Sequence, residues 1–321
     1  MIKIWTERAV PPMIVADLLR VAEHIGAGTD HPEDRLRGIE QAQGIIASAT
    51  ISYDAALFEK VPHLKVISRT GIGIDNIVVA DATERGIAVC STPDGPTVST
   101  AEHTITLLLC VAKQVKRIET ALKDRRTNDF ITYHQGMEVD GRTLGLIGLG
   151  RIGKRVASIA QALGMKVIAY DPFVDDNQMG QLGLVPVASI EAALAEADIV
   201  SLHLPLTPDT RHLMNAERFA LMKQGALFIN AARGGLVDEK ALAAALDSVH
   251  IAGAGIDVFS IEPPPVGHPL LDRENVIATP HIAGITRASR ERMWRMAIDN
   301  AIKVINGQRP SSIVNPEVLG R

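Results

Sequence analysis

The sequence predicts an α/β protein built from two doubly wound, parallel-sheet domains. Its 321 residues are about twice the size of a typical domain. Short apolar runs alternate with helical patterns along nearly the whole chain, which is typical of parallel sheets covered by helices. The runs are apolar at successive positions, as expected of strands that are buried on both faces.

The predicted strands form two sets, which are separated by one helical segment. Residues 99–123 contain neither Gly nor Pro, so we predict one long helix there with Ser99 as its N-cap. The strands of the first set are predicted at residues 2–5, 44–48, 64–68 and 87–90. The strands of the second set are predicted at residues 143–149, 166–170, 198–203, 226–230, 251–258 and 275–279.

The composition indicates a globular protein with aliphatic cores, since 46% of the residues are hydrophobic and only 3% are aromatic. A net charge of −4 without a basic run argues against nucleic acid or an anionic membrane as a partner. Cys90 and Cys110 lack the spacing of a metal or redox motif, and we expect no metal site. The N-terminal residues indicate a strand rather than a signal peptide, so we expect a cytoplasmic protein.

Polar and glycine-rich residues follow several predicted strands, at the sheet edge where ligands of open parallel sheets bind. The segment GLGRIG begins at Gly148, after a strand and before an alanine-rich helix, and this is the pattern of a dinucleotide-binding turn. Gly148 would allow the tight turn, Gly150 the approach of a pyrophosphate, and Gly153 close packing of the helix. The N–H groups near Arg151 and Ile152 would then face the phosphates. A glycine-rich turn without a ligand is the alternative.

Asp171 ends the second strand of this predicted nucleotide-binding fold, 18 residues after Gly153. A carboxylate at this position can accept hydrogen bonds from both ribose hydroxyls of NAD, and it would repel the 2′-phosphate of NADP. We therefore predict NAD as the cofactor.

Arg233, Glu262 and His281 are the candidate catalytic residues, each close behind a predicted strand. The arginine fork matches a carboxylate in bidentate fashion, and histidine can donate and accept a proton near neutral pH. A glutamate bonded to the far ring nitrogen would fix the tautomer and favour the imidazolium form. Together with a nicotinamide, these groups suit hydride transfer to a carbonyl beside a carboxylate. The alternative is a solvated arginine, a structural histidine and a stiff turn.

The chain resembles the D-isomer-specific 2-hydroxyacid dehydrogenases, and most of all their phosphoglycerate and hydroxypyruvate dehydrogenase branch. The matching segments are RTGIGIDNI, GRTLGLIGLGRIGKRVA, YDP, HLPLT, NAARGGLVDEKAL, AGAGIDVFSIEPP and NVIATPHIAG, in the expected order. The resemblance implies a flavodoxin-like substrate domain, a Rossmann NAD-binding domain and a cleft between them. It assigns residues 1–98 plus 286–321 to the substrate domain and residues 99–285 to the NAD-binding domain. It also implies a homodimer.

The resemblance further implies roles for individual residues. Arg233 would bind the substrate carboxylate, His281 would donate the proton, and Glu262 would be the partner of His281. The backbone N–H groups of Ile72 and Gly73 would also bind the substrate carboxylate. Beyond the glycine turn and Asp171, the implied cofactor contacts are His203, Pro205, Ala231, Ala232, Arg233, Asp257, His281 and Gly284, with HLPLT on the adenine side and Asp257 at the carboxamide.

The substrate stays open among glyoxylate, hydroxypyruvate, phosphohydroxypyruvate and larger 2-keto acids. Phosphoglycerate dehydrogenases commonly carry a phosphate-binding arginine where this chain has Ala47, although Arg69 is retained. Tyr133 or His134 is a candidate for the aromatic residue that some members supply from the partner subunit. Two other functions are alternatives, namely an NADH-sensing corepressor-like scaffold and a formate-type dehydrogenase.

Overall fold

The computed structural model describes residues 1–126 and 128–320, and it divides into two compact units. The first unit combines Met1–Pro96 with Ile285–Arg321, and the second unit is Thr97–Gly284. The strand pairs of the described residues are all parallel. The predicted α/β class with two parallel sheets is therefore confirmed.

The two sheets contain five and seven strands. The first unit contains β1 (Lys3–Thr6), β2 (Glu23–Ala27), β3 (Gly44–Ala47), β4 (Val66–Arg69) and β5 (Ala88–Cys90). The second unit contains β6 (Thr143–Ile147), β7 (Lys166–Tyr170), β8 (Val185–Pro186), β9 (Ile199–Leu202), β10 (Ala226–Asn230), β11 (Ile251–Ile256) and β12 (Val276–Ala278). Their orders are β2-β1-β3-β4-β5 and β12-β11-β10-β9-β6-β7-β8.

The helices follow the alternation that the sequence predicts. They are α1 (Pro12–Val21), α2 (Ala55–Phe58), α3 (Val79–Glu84), α4 (Thr97–Ala112), α5 (Val115–Lys123), α6 (Phe130–Tyr133), α7 (Arg151–Ala162), α8 (Asp176–Gln181), α9 (Ile190–Glu196), α10 (Ala216–Leu221), α11 (Glu239–Asp247) and α12 (Arg287–Ile305). None of these helices combines the length and the apolar character needed to cross a membrane.

Both faces of each sheet are covered, as apolar strands of a parallel sheet require. In the second unit, Phe228 and Leu242 belong to the core on one face, and Leu107 and Ile229 belong to the core on the other face. In the first unit, α12 packs on β3 and β4 with side chains that include the buried Trp294. Each sheet is therefore enclosed between two apolar cores.

The prediction of a single helix over residues 99–123 is wrong, because α4 ends at Ala112 and α5 begins at Val115. Gln114, between them, takes the left-handed conformation with φ 51°, and its Nε2 donates to the carbonyl oxygen of Gln135 at 3.1 Å. Glycine or asparagine usually marks such a residue. Since neither occurs here, the sequence carried no signal for the break.

The prediction of Ser99 as the N-cap is also wrong. The helix begins at Thr97, and Ser99 lies within its first turns with a buried side chain. Its hydroxyl donates to the carbonyl oxygen of Ala283 at 2.8 Å, so it joins α4 to the segment after β12.

The sequence did not predict β2 and β8, which are the edge strands on one side of each sheet. The β2 segment, EHIGA, contains charged, polar and glycine residues, and only Ala27 is buried. An edge strand needs no continuous apolar run, so the pattern used for buried strands misses it. The predicted strand 251–258 ends at Ile256, and Asp257 therefore comes directly after its last residue.

Candidate functional site

The turn between β6 and α7 is shaped by two glycines that leave no room for a side chain. Gly148 has φ 96°, and a Cβ on it would lie 2.5 Å from the carbonyl oxygen of His203. A Cβ on Gly153 would lie 2.5 Å from the carbonyl oxygen of Gly148. The turn is therefore packed tightly against both α7 and the segment that follows β9.

Gly150 has the opposite environment, because a Cβ on it would meet no atom within 4 Å. This open space is what the close approach of a pyrophosphate requires. Gly150 is the N-cap of α7 and supplies no side-chain cap. The first turn of the helix, which begins with Arg151 and Ile152, carries the N–H groups and the positive dipole end that favour an anion.

Asp171 follows β7 and is held against the glycine turn. Its Oδ2 accepts a hydrogen bond from the N–H of Leu149 at 2.7 Å, and its Oδ1 accepts one from the N–H of Phe173 at 2.8 Å. Residues Ile147 and Tyr170 are partners in the sheet, so the carboxylate lies at the ends of two neighbouring strands. Each oxygen keeps a lone pair for a ribose hydroxyl.

His203 follows β9, the other neighbour of β6. Burial lowers the pKa of His203 to about 4, so its ring is neutral at physiological pH. Ser201 Oγ lies 2.9 Å from His203 Nε2, and Pro205 is exposed two residues later. The placement of HLPLT on the adenine side of the cofactor stays a prediction.

Arg233 lies in the loop after β10, and this loop is held by the buried side chain of Asn230. Asn230 Nδ2 donates to the carbonyl oxygen of Arg233 at 2.9 Å, and Asn230 Oδ1 accepts from the N–H of Ala232 at 3.0 Å. The guanidinium of Arg233 donates to the carbonyl oxygen of Ala232 at 2.7 Å. The sequence analysis did not identify Asn230, although an amide that ends an apolar strand is the available signal.

The loops after β10 and β11 lie in direct contact. A Cβ on Gly234 would lie 2.0 Å from the carbonyl carbon of Phe259, so only glycine allows this approach. The contact brings Arg233 to the loop that carries Glu262.

Glu262 and His281 form a hydrogen bond between the loop after β11 and the segment after β12. His281 Nδ1 lies 2.7 Å from Glu262 Oε2, while Glu262 Oε1 accepts from the N–H of Phe259 at 3.0 Å. Burial alone would raise the pKa of Glu262, but these two hydrogen bonds and the charges of His281 and Arg233 outweigh it and lower the pKa. The glutamate is therefore an anion near neutral pH, and Nε2 is the ring atom of His281 left to exchange a proton.

His281 has an unusual backbone, with φ 55°, and its N–H donates to the carbonyl oxygen of Asp257 at 2.7 Å. The side chain of Asp257 is fully buried. Its Oδ1 accepts from the N–H of Ile282 at 2.9 Å, and its Oδ2 accepts from the N–H of Ala283 at 2.8 Å. This structural role of Asp257 was not predicted from the sequence. Its contact with a nicotinamide carboxamide stays a prediction, as does the cofactor contact of Gly284, the last residue of the second unit.

Ile72 and Gly73 belong to the first unit and follow β4. Within the described residues, neither backbone N–H has a hydrogen-bond acceptor, and the side chain of Ile72 is exposed. Both amides are thus able to bind an anion, and their role in binding the substrate stays a prediction.

Comparison with known proteins identifies the family of the chain. The family model described as D-isomer specific 2-hydroxyacid dehydrogenase, NAD binding domain, matches residues 105–283. A D-3-phosphoglycerate dehydrogenase of Methanocaldococcus jannaschii is 38% identical over 307 residues, which cover 93% of this chain and 57% of that protein. A glyoxylate reductase of Korarchaeum cryptofilum is 38% identical over 285 residues, which cover 88% of this chain and 85% of that protein.

A solved structure shows the same fold. The D-lactate dehydrogenase from Aquifex aeolicus, complexed with NAD and lactic acid, has a TM-score of 0.85 at 32% identity and covers 98% of this chain and 99% of its own. The chain spans 53–57% of the length of three of its phosphoglycerate dehydrogenase relatives. The residues that hold the glycine turn and Asp171 fit the NAD that the family model names. The chain belongs to the D-isomer-specific 2-hydroxyacid dehydrogenase family.

Proposed function

We propose that this protein is an NAD-dependent D-2-hydroxyacid dehydrogenase, which interconverts a 2-keto acid and the matching D-2-hydroxy acid. The observation that carries the proposal is the 2.7 Å contact between His281 Nδ1 and Glu262 Oε2, in the unit that matches the NAD-binding family model. An imidazole held in this way has one defined tautomer and one nitrogen available for proton transfer.

The chain's own residues divide the work between binding and proton transfer. NADH held at the glycine turn and Asp171 would supply the hydride for the keto carbon. Arg233 binds the substrate carboxylate through its planar fork, and its positive charge also stabilises the negative charge that develops on the carbonyl oxygen. His281 donates the proton from Nε2 to that oxygen, and Glu262 stabilises the imidazolium before the transfer. In the reverse direction, neutral His281 accepts the hydroxyl proton.

We further propose a small, non-phosphorylated substrate, such as glyoxylate or hydroxypyruvate. Ala47 ends β3, where it is buried and pairs in register with Arg69 of β4. A methyl group cannot replace an arginine that binds phosphate, because it offers no charge and no donor. The test is a panel of 2-keto acids with NADH. Turnover of none would support the scaffold alternative, and reduction of NAD by formate would support the formate-type alternative.

We propose that the protein is a homodimer that pairs through α5 and α6. These helices line a groove of about 650 Å³, formed by Lys113, Val115, Ile118, Glu119, Leu122, Phe130, Ile131 and His134. The side chain of Ile131 is 94% exposed and that of Leu122 is 62% exposed, and apolar patches of this kind commonly mark protein interfaces. A second copy of this chain would cover the groove. Sedimentation of a monomer at micromolar concentration would contradict the proposal.

Asp171 should make the enzyme prefer NADH to NADPH by about ten-fold or more in kcat/KM, because its charge repels the 2′-phosphate. Asp171→Ser should narrow this ratio. The matched control is Asp176→Ala, which removes an exposed acidic residue from the first turn of α8 and should leave the ratio unchanged. Steady-state kinetics with both cofactors measure the ratio. A wild-type preference for NADPH would show that Asp171 does not select the cofactor.

Arg233→Lys should raise KM for the keto acid and lower kcat, because lysine keeps the charge but lacks the fork. Arg233→Ala should lose more, since each of the two charged hydrogen bonds of the fork is worth about 1.5–3 kcal/mol, and kcat/KM should fall by about two to four orders of magnitude. The dissociation constant of NADH, from fluorescence titration, should change little. Lys223→Ala removes a cation paired with Asp198 and serves as the control. Unchanged kinetics in Arg233→Ala would identify a solvated loop arginine.

Glu262→Gln should move the upper pH limit of keto-acid reduction to lower pH. Reduction needs protonated His281, and the anion that favours this form is lost. Because the pKa of Glu262 is lowered in the folded protein, its ionised form contributes to the free energy of unfolding at pH values above the ordinary glutamate pKa. This contribution is lost as the pH falls through the lowered pKa of Glu262. The measurement is kcat against pH for wild type and variant. Superimposable profiles would contradict the assigned partnership.

A further inference from the structure

Three side chains contact one another close to His281. They are Asp257 after β11, Thr279 after β12 and His103 on α4. Thr279 Oγ1 lies 2.6 Å from Asp257 Oδ1, and His103 Nε2 lies 2.9 Å from Thr279 Oγ1. His103 Nε2 is also 3.5 Å from Asp257 Oδ1. We refer to residues 279–283 as the histidine strap.

The direction of these hydrogen bonds follows from the available protons. An ionised carboxylate only accepts, so Thr279 must give its single hydroxyl proton to Asp257. The hydroxyl oxygen of Thr279 is then an acceptor, and His103 Nε2 must carry a proton and donate it. His103 therefore donates a hydrogen bond to Thr279, and Thr279 donates one to Asp257.

Asp257 in turn holds the backbone of the strap at His281 and at the two residues that follow it. Its backbone carbonyl accepts from the N–H of His281 at 2.7 Å, and its carboxylate accepts from the N–H groups of Ile282 and Ala283 at 2.9 and 2.8 Å. A φ of 55° at His281 is uncommon for a residue with a Cβ, and it persists only where the surroundings hold it.

Helix α4 contacts the strap at both of its ends. His103 reaches Thr279 at the first end, and Ser99, one turn earlier, donates to the carbonyl oxygen of Ala283 at the last end. The helix thus backs the strap along its length with polar side chains rather than through apolar packing alone.

We infer that His103 and Thr279 are positioning residues for the reaction. They orient the buried carboxylate of Asp257, and through it they hold the backbone that presents the His281 ring to Glu262 and to the substrate. The inference rests on the proposed function, because it gives His281 the proton-transfer role. Their loss should lower kcat, because the backbone that presents the His281 ring would be held less firmly.

The test compares variants that remove a hydrogen bond with variants that keep it. His103→Leu removes the donor, and His103→Gln can keep it through the side-chain amide. Thr279→Val removes the hydroxyl, and Thr279→Ser keeps it. The control is Thr106→Val, since Thr106 is exposed on the same helix and its hydroxyl donates to the carbonyl oxygen of Glu102.

We expect His103→Leu and Thr279→Val each to lower kcat by between about ten-fold and a hundred-fold, the range that follows from misplacing a reacting group by a fraction of an ångström. His103→Gln and Thr279→Ser should recover most of the loss. The double variant should lose no more than either single variant, because both act through the same carboxylate.

Hydrogen exchange of the strap separates this inference from the proposed function. Amide protons of Ile282 and Ala283 should exchange faster in His103→Leu and Thr279→Val than in wild type, and at the wild-type rate in Thr106→Val. If wild type reduced no 2-keto acid, the proposed function would fail. Faster exchange in His103→Leu and Thr279→Val would still support the hydrogen bonds among His103, Thr279 and Asp257. Unchanged exchange together with kcat within two-fold of wild type would overturn the positioning role, as would equal losses in the conservative and disruptive variants.

Discussion

The buried carboxylate of Asp257 is the interaction on which the rest of the site depends. A charge removed from water costs several kcal/mol unless hydrogen bonds replace its hydration. Here the replacing donors are the hydroxyl of Thr279 and the N–H groups of Ile282 and Ala283. Two of these donors are backbone N–H groups next to His281. The hydrogen bonds that stabilise the buried charge therefore also fix the conformation of the strap.

The order of strands explains why residues far apart in sequence meet at this carboxylate. Strands β10, β11 and β12 are consecutive neighbours in the sheet, and parallel strands all end at the same edge. Arg233 follows the first of them, Asp257 and Glu262 follow the second, and His281 follows the third. The glycine turn follows β6, where the order of strands reverses, and this is the position at which doubly wound sheets bind nucleotides. The nucleotide turn and the catalytic candidates therefore share one sheet edge.

Sequence reasoning was sufficient where a residue's role depends on its type and on its distance from a strand. Gly148, Gly150 and Gly153 could be assigned separate tasks, and the space around them is compatible with those tasks, since of the three only Gly150 has open space beside it. It failed where a role depends on contacts across the fold. Serine is a residue type that commonly caps helices, yet the hydroxyl of Ser99 donates to the carbonyl oxygen of Ala283, which is 184 residues away in the sequence. No local pattern encodes such a distance.

The same limit applies to the break after Ala112 and to the network around Asp257. Gln114 takes a left-handed conformation without glycine, so the fold rather than residue preference determines it. His103, on a helix with many buried apolar side chains, gives no sign in the sequence that it faces Thr279. Both cases are tertiary effects that override local propensity.

The central claim is that His281 is the proton donor, and its removal tests this most directly. The measurement is kcat for reduction of glyoxylate or hydroxypyruvate by His281→Ala, made alongside a titration of NADH binding to the same protein. A loss of about 10²–10⁴-fold in kcat, with NADH affinity nearly unchanged, is the predicted result for general acid catalysis. Turnover near that of wild type at neutral pH would contradict the account and leave His281 as a structural histidine.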